Sequence, residues 1–156
     1  MKTTISTLLD APPERVWEEL QRPALLKYVT APLVVFEPIG PESFPEQWEE
    51  DEYRVAMMLF GVVPLGEQSI LISKPRVDDT EGEQFYQIRD DGTGNLVSTW
   101  NHLISVRETA DGKTVYTDEI EVKAGILTLL VWLFAAVFYR YRQRRWRKLV
   151  ENGFTY

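Results

Sequence analysis

Residues 116–149, YTDEIEVKAGILTLLVWLFAAVFYRYRQRRWRKL, begin as a strand-like segment and continue as a long helical one. The first part alternates apolar and acidic residues, which is typical of a strand with one buried face. From Gly125 to about residue 150 no proline or further glycine interrupts the helical pattern, and Gly153 is a suitable stop signal. The stretch therefore predicts a last strand that leads into one long C-terminal helix.

Strand-like segments also fill most of the chain before this helix. Together with the last strand they cover residues 3–9, 33–37, 53–60, 65–73, 84–90, 96–107 and 114–122. Between the first and second strands, residues 10–21 (DAPPERVWEELQ) and 24–29 predict two short helices, with Asp10 as the N-cap of the first. Short turns between the later strands predict an antiparallel meander. We expect an α+β fold, a curved sheet covered by the long helix, in a single domain spanning residues 1–156.

Turn-forming dipeptides mark the connections between these strands. We expect turns at Asp78-Asp79 and at Asp111-Gly112. The segment GTGN (92–95) looks superficially like a phosphate-binding loop, but it precedes a strand, whereas a phosphate loop precedes a helix. We interpret GTGN as a hairpin turn.

The composition excludes several classes of function. The chain has no cysteine and one histidine, so disulfide frameworks, thiolate chemistry and multi-histidine zinc sites are excluded, and we expect no metal and no cofactor. The net charge of −7 divides into −12 over residues 1–138 and +5 over residues 139–156. Because the acidic body would repel phosphate, we expect no nucleic-acid partner. A short apolar stretch that ends at Asp10 does not make a secretory segment, so we expect a cytoplasmic location, with membrane association as an alternative.

Several strings resemble the START-like, birch-pollen-allergen-like helix-grip superfamily (SRPBCC). Residues 5–20 resemble its first strand and helix, and LFGVVPLGEQSILIS (59–73) resembles its mid-sheet hairpin. TWNHLISV (99–106) followed by residues 116–149 is similar to a bacterial subgroup of polyketide cyclase/dehydrase type. The resemblance covers nearly the whole chain and implies a curved sheet that grips the terminal helix. Members include lipid carriers, hormone and polyketide binders, and cyclases or dehydrases.

Alternation along the last two strands predicts a polar pair on the buried face. Their even-numbered positions are the more apolar, and the odd positions of the final strand include glutamates, which need water. Asp118 then lies opposite Ile104 or Val106, and in the first register His102 and Asp118 are diagonal neighbours, about 7 Å apart at Cα. Such a pair can orient the polar end of a ligand or act in acid–base catalysis, with His102 as the base. Alternatively, it is a hydrogen-bonded buried pair with a structural role.

The same face would line a cavity between sheet and helix. Aromatic rings with a polar tip suit a ligand that is partly apolar and partly polar, although core packing is the alternative role. The candidate ligand-binding residues are Trp100, His102, Tyr116, Asp118, Tyr86 and Ile104.

Residues 124–139 are apolar around the whole helix, whereas a covering helix needs only one apolar stripe. They are too few to span a bilayer, because 16 residues give about 24 Å of helix against a hydrocarbon core of about 30 Å. The second apolar face must meet the ends of the sheet, a second subunit in a homodimer, or a lipid surface. Peripheral membrane contact would use the arginines that follow, namely Arg140, Arg142, Arg144, Arg145 and Arg147.

The sequence therefore predicts non-catalytic binding of a small hydrophobic or amphipathic ligand, such as a lipid or polycyclic metabolite. A cyclase- or dehydrase-type enzyme that uses His102 and Asp118 is one alternative. A membrane-surface interaction protein that uses residues 124–148 is another.

Overall fold

The computed structural model describes residues 1–40, 43–75 and 85–156. The strands are β1 (Lys2–Leu9), β2 (Val34–Pro38), β3 (Glu52–Leu59), β4 (Val63–Ser73), β5 (Phe85–Gly94), β6 (Thr99–Glu108) and β7 (Thr114–Lys123). The helices are α1 (Pro13–Leu20), α2 (Pro23–Thr30) and α3 (Thr128–Glu151), and one 3₁₀ turn, Gly125–Leu127, precedes α3. The predicted order of one strand, two short helices, six strands and one long helix is confirmed.

The described strands form one curved antiparallel sheet in the order β1-β7-β6-β5-β4-β3-β2. Consecutive strands from β2 to β7 are neighbours, as a meander requires, and β1 adds to the edge of β7. The α+β prediction is therefore confirmed.

Helix α3 lies across the concave face and differs between its two halves. Its C-terminal half buries Trp146 and Leu149 in the main core, beside residues of α1 and α2. Its N-terminal half buries Ala135 and Phe138 against the sheet but leaves Leu130 exposed. The helix therefore closes one end of the sheet tightly and covers the other end loosely.

The strand register places the inward side chains in rows across β5, β6 and β7. One row contains Tyr86, Val106 and Tyr116, and the next contains Ile88, Ile104 and Asp118. A third row contains Asp90, His102 and Ile120. Asp118 therefore lies opposite Ile104, which is the first of the two predicted registers.

The expected N-cap of α1 is wrong. Pro12 occupies the cap position and offers no side-chain acceptor, because two consecutive prolines place the helix start at Pro13. The carboxylate of Asp10 instead lies 3.3 Å from the Lys113 ammonium at the surface.

The hairpin turn expected at residues 92–95 connects β5 and β6 but lies further along the chain, because β5 continues through Gly94 and the Gly94 amide donates to the Val97 carbonyl across the turn. A Cβ atom on Gly92 would lie 2.7 Å from the Ser69 carbonyl oxygen, and one on Gly94 would lie 2.8 Å from that of Glu67. The two glycines let the backbone of β4 approach closely, which any larger residue would prevent. The predicted turn at Asp78-Asp79 lies outside the described residues.

Candidate functional site

A cavity of about 390 Å³ lies between the sheet, α2 and the N-terminal half of α3. This volume falls within the range of small-molecule sites, about 300–1,000 Å³. Most of the wall is apolar, with Leu25, Phe36, Met57, Ile70, Ile72, Ile88, Ile104, Val131 and Phe138 among the lining residues. At the rim, Leu96, Leu130 and Phe134 line the cavity and are also exposed to solvent. The cavity therefore suits a mainly apolar molecule.

A small set of polar side chains also lines this cavity. His102 comes from β6, Asp90 from β5, and Tyr139 and Arg142 from α3. They lie close together because Asp90 and His102 are direct cross-strand partners, and the His102 and Tyr139 rings are 4.6 Å apart. The cavity therefore combines mostly apolar walls with a cluster of polar side chains around His102. The other polar lining residues are Arg22, Glu67, Gln68, Arg89 and Asn95.

His102 is held by a buried hydrogen-bond network centred on Asp118. Its Nε2 atom lies 2.7 Å from Oδ1 of Asp118, which also accepts a bond of 3.1 Å from the Tyr116 hydroxyl. Oδ2 of Asp118 accepts a bond of 2.8 Å from the Gln143 amide, which in turn donates to the carbonyl of Ile5. Three donors therefore satisfy the Asp118 carboxylate, as a buried charge requires.

The charge states of the pair follow from burial and these bonds. Burial acts to raise the pKa of Asp118, but the hydrogen bond and charge of His102, the charge of Arg142 and the Gln143 bond together lower it. Burial lowers the pKa of His102, although Asp118 opposes this. A neutral imidazole beside an ionised carboxylate must donate its Nε2 proton, because an ionised carboxylate only accepts. Nδ1 is then an acceptor on a cavity-lining residue, with no hydrogen-bond partner among the described side chains and backbone groups.

Asp90 and Tyr139, which also line the cavity, have distinct electrostatic environments. Burial raises the pKa of Asp90 to about 7, and the hydrogen bond from the Leu71 amide and the charge of Arg142 only partly offset it. Burial also raises the pKa of Tyr139, so its hydroxyl remains protonated at neutral pH. That hydroxyl accepts a bond of 3.3 Å from the Trp100 indole and can itself donate to a ligand.

The structure brings three of the six predicted ligand-binding residues to the cavity. Trp100, His102 and Ile104 line it. Tyr116 and Asp118 lie behind His102, where they position its ring.

The sixth predicted residue, Tyr86, is not among the residues that line the cavity. It stacks on Trp17 of α1, with ring centroids 5.1 Å apart. Tyr116 lies in the same cross-strand row as Tyr86, and its ring packs against that of Trp146, with ring centroids 5.7 Å apart. Two tryptophans therefore pack against Tyr86 and Tyr116, the two tyrosines that were predicted to bind a ligand.

The polar lining residues that the sequence analysis did not predict include Asp90, Tyr139 and Arg142. Asp90 lies two residues after Ile88, and side chains at every second position of a strand share a face, so the same alternation places Asp90 on the inward face. Arg142 follows Ala135 and Phe138 at helical spacing, so it belongs to the face of α3 that covers the sheet. Tyr139 adjoins the same face. The helical spacing that identifies Arg142 was present in the sequence, but we assigned this arginine to the basic segment 139–156.

The arginines predicted to contact a membrane have different surroundings. Arg140, Arg144 and Arg147 are exposed. Arg145 donates to the carbonyl of Tyr28 and is half-buried. Arg142 is only 7% exposed, so its assignment to membrane contact is wrong, because its helix face points to the sheet.

Of the two apolar faces of this segment, the one with Val131, Phe134 and Phe138 lines the cavity. The other face is exposed to solvent, and its residues, which begin in the 3₁₀ turn before α3, are Ile126, Leu130, Leu133 and Val137. By length and composition, Gly125–Glu151 is apolar enough to cross a membrane, a property that core helices of soluble proteins share. Within residues 1–40, 43–75 and 85–156, no group of three or more His, Asp or Glu side chains is placed to hold a metal ion.

A family model described as "Domain of unknown function (DUF8410)" matches residues 7–150. No curated protein matches the chain significantly in sequence.

Solved structures share the fold at low sequence identity. Protein Ms6760 from Mycobacterium smegmatis has a TM-score of 0.64 and 15% identity, over 97% of this chain and 92% of that one. A START superfamily protein from the same organism has a TM-score of 0.61 and 11% identity, over 97% of each chain. Truncated norcoclaurine synthase from Thalictrum flavum has a TM-score of 0.58 and 16% identity, over 96% of this chain and 92% of that one. The chain thus has the SRPBCC helix-grip fold that its sequence motifs predicted.

Proposed function

The chain belongs to the DUF8410 family, and we propose that this member binds a small amphipathic ligand in the cavity between its sheet and α3. The observation that carries the proposal is the cavity itself, which has a volume of about 390 Å³, mostly apolar walls and a cluster of polar side chains around His102. Each Å² of apolar ligand surface removed from water contributes about 25 cal/mol before ordering costs. His102, Tyr139 and Trp100 would orient the polar end of the ligand.

The fold neighbours support this proposal at the level of fold. One is titled a START superfamily protein and another a norcoclaurine synthase, so proteins with this fold include one that is named as a synthase. The exposed rim residues Leu96, Leu130 and Phe134 provide an apolar entrance.

Native mass spectrometry of the purified protein tests the proposal. We expect a co-purified small molecule on the wild-type protein and on Leu103→Phe, whose side chain lies on the opposite face of β6. We expect its loss from Ile104→Phe, because the larger side chain occupies the cavity. Equal retention by both variants would contradict binding at this site.

A second candidate function, catalysis, is favoured by the state of His102. A neutral imidazole with its Nε2 proton held by Asp118 and Nδ1 unpartnered is suited to act as a general base. The captured ligand, incubated with wild type and with His102→Gln, distinguishes the two functions. Turnover by wild type that is lost in the variant, with binding retained, supports an enzyme, whereas an unchanged ligand in both supports binding alone.

A third candidate, contact with a lipid surface, is favoured by the exposed apolar face of α3. Ile126 and Val137 lie on this face together with the rim residue Leu130. Co-sedimentation with anionic vesicles at low salt tests it. We expect binding by wild type and loss in Ile126→Ser/Val137→Ser, and no binding by wild type would contradict this candidate.

A further inference from the structure

Arg142 is a buried cation that lines the cavity. It is 7% exposed, and its guanidinium carbon lies 4.8 Å from the ring centroid of Tyr139 and 5.8 Å from that of Phe138. Among the described residues, no hydrogen-bond acceptor or carboxylate pairs with its guanidinium. A buried charge without such a partner is costly, and five N–H donors remain available.

Other arginines of α3 have acceptors. Arg140 donates to the carbonyl of Ala136 at 2.8 Å, and Arg147 donates to the Thr7 hydroxyl at 3.1 Å. Arg145 donates to the carbonyl of Tyr28. The buried Arg142 therefore lacks the hydrogen-bond acceptor that Arg140, Arg145 and Arg147 have.

The nearest acidic groups do not satisfy Arg142. Asp118 and Asp90 both interact with it electrostatically, but neither carboxylate lies within the 4.0 Å of an ion pair. Asp118 already accepts three hydrogen bonds, from His102, Tyr116 and Gln143. Asp90 accepts from the Leu71 amide on β4. A molecule in the cavity can therefore supply an acceptor to the guanidinium, because Arg142 lines that cavity.

We propose that the ligand is an amphipathic carboxylic acid whose carboxylate binds to the Arg142 guanidinium while its apolar body fills the cavity. The inference rests on the proposed function, since it names the class of ligand for the same site. A carboxylate matches the planar guanidinium through two parallel hydrogen bonds. The Tyr139 hydroxyl, beside the guanidinium, offers a further donor.

Calorimetric titration with sodium decanoate and with 1-decanol tests the proposal. Both probes have the same apolar chain, and only decanoate is anionic. The titration is performed at pH 6, where the Asp90 carboxyl is mostly neutral and the decanoate is mostly ionised. The variants are Arg142→Gln and, as the matched control, Arg144→Gln, which changes an exposed arginine on the same helix.

We expect wild type and Arg144→Gln to bind decanoate about 10-fold or more tightly than decanol. The reason is that hydrogen bonds to a charged group contribute more free energy than a tenfold change in affinity requires. Arg142→Gln should lose this preference and bind decanol as before. If decanoate and decanol bind wild type equally, the carboxylate proposal is wrong while cavity binding stands. If neither probe binds wild type, cavity binding of such chains is contradicted as well.

A second measurement needs no variant at Arg142. Decanoate labelled with ¹³C at its carboxyl carbon reports its own ionisation when bound to wild type. A cation beside the carboxylate lowers the pKa of the bound acid, whereas an apolar cavity without one raises it. A bound pKa below that of free decanoate supports the proposal, and a raised pKa overturns it.

Discussion

The Nε2 atom of His102 on β6 lies 2.7 Å from Oδ1 of Asp118 on β7, and both side chains are almost completely buried. The pair spans two rows of the sheet, because Asp118 lies opposite Ile104 and His102 lies opposite Ile120. Tyr116 and Gln143 complete the bonds of the carboxylate. The network fixes one ring nitrogen of His102 and leaves the other as an acceptor on a cavity-lining residue.

The charge and tautomer of His102 are the first prediction. Because burial lowers its pKa, we expect a neutral ring at pH 6.5, where an ordinary histidine is half protonated. The proton should reside on Nε2. Since the chain has one histidine, ¹⁵N NMR of the ring nitrogens measures this without ambiguity. A titration midpoint near 6.5 would contradict the described environment.

Removal of the buried charge at Asp118 is the second prediction. Asp118→Asn replaces an acceptor of three hydrogen bonds with a group that also donates, so it should lower the free energy of unfolding by about 3–5 kcal/mol. Glu119→Gln, one residue along β7 on the exposed face, should change it by less than about 0.5 kcal/mol. Urea denaturation measures both. Similar values for the two variants would show that the network does not stabilise the fold.

The pH dependence of stability is the third prediction. Between pH 3.8 and about 7 the folded protein keeps a proton on Asp90 that the unfolded chain releases. The free energy of unfolding should therefore fall as the pH rises across this window. The groups that influence Asp90 are Arg142 on α3, Asp91 on β5 and the Leu71 amide on β4.

The Asp90→Asn variant tests that dependence, because an asparagine side chain has no carboxyl proton to release. The difference in unfolding free energy between Asp90→Asn and wild type should grow from pH 4.5 to pH 7.5. His102 titrates in both proteins and cancels in the comparison. Parallel curves for the two proteins would mean that Asp90 has an ordinary pKa.

Much of the His102–Asp118 site was predictable from the sequence, because strand alternation depends only on local pattern. It placed both residues on the buried face and left two registers, one of which, with Asp118 opposite Ile104, is the register that the structure has. The position of the cavity was not predictable in this way. Trp17 and Trp146 close one end of the sheet from distant parts of the chain, and alternation along a strand does not report such packing.

The assignment of Arg142 shows a second limit. A run of six basic residues within 139–156 indicates a solvated tail, and the net charge gives no reason to separate one arginine from the others. Only the helical phase of residues 135, 138 and 142 distinguishes the buried arginine from its neighbours. The apolar character of the whole N-terminal half of α3 obscured that phase.

The glycines of β5 support a fourth prediction. Gly92→Ala should lower the free energy of unfolding by about 1–3 kcal/mol, because its Cβ would lie 2.7 Å from the Ser69 carbonyl oxygen. Thr93→Ala, at an exposed position of the same strand, should have little effect. Thermal denaturation distinguishes the two. Unchanged stability in Gly92→Ala would contradict the close approach of β4 and β5.

The most direct test of the central claim is methyl NMR of isoleucine-labelled protein titrated with sodium decanoate. Ile88 and Ile104 line the cavity, whereas Ile5 and Ile120 do not, and Ile126 is on the exposed face of α3. We predict that decanoate shifts the methyl signals of Ile88 and Ile104 and leaves those of Ile5 and Ile120 in place. Shifts confined to Ile126, or no shifts at all, would contradict binding in the cavity.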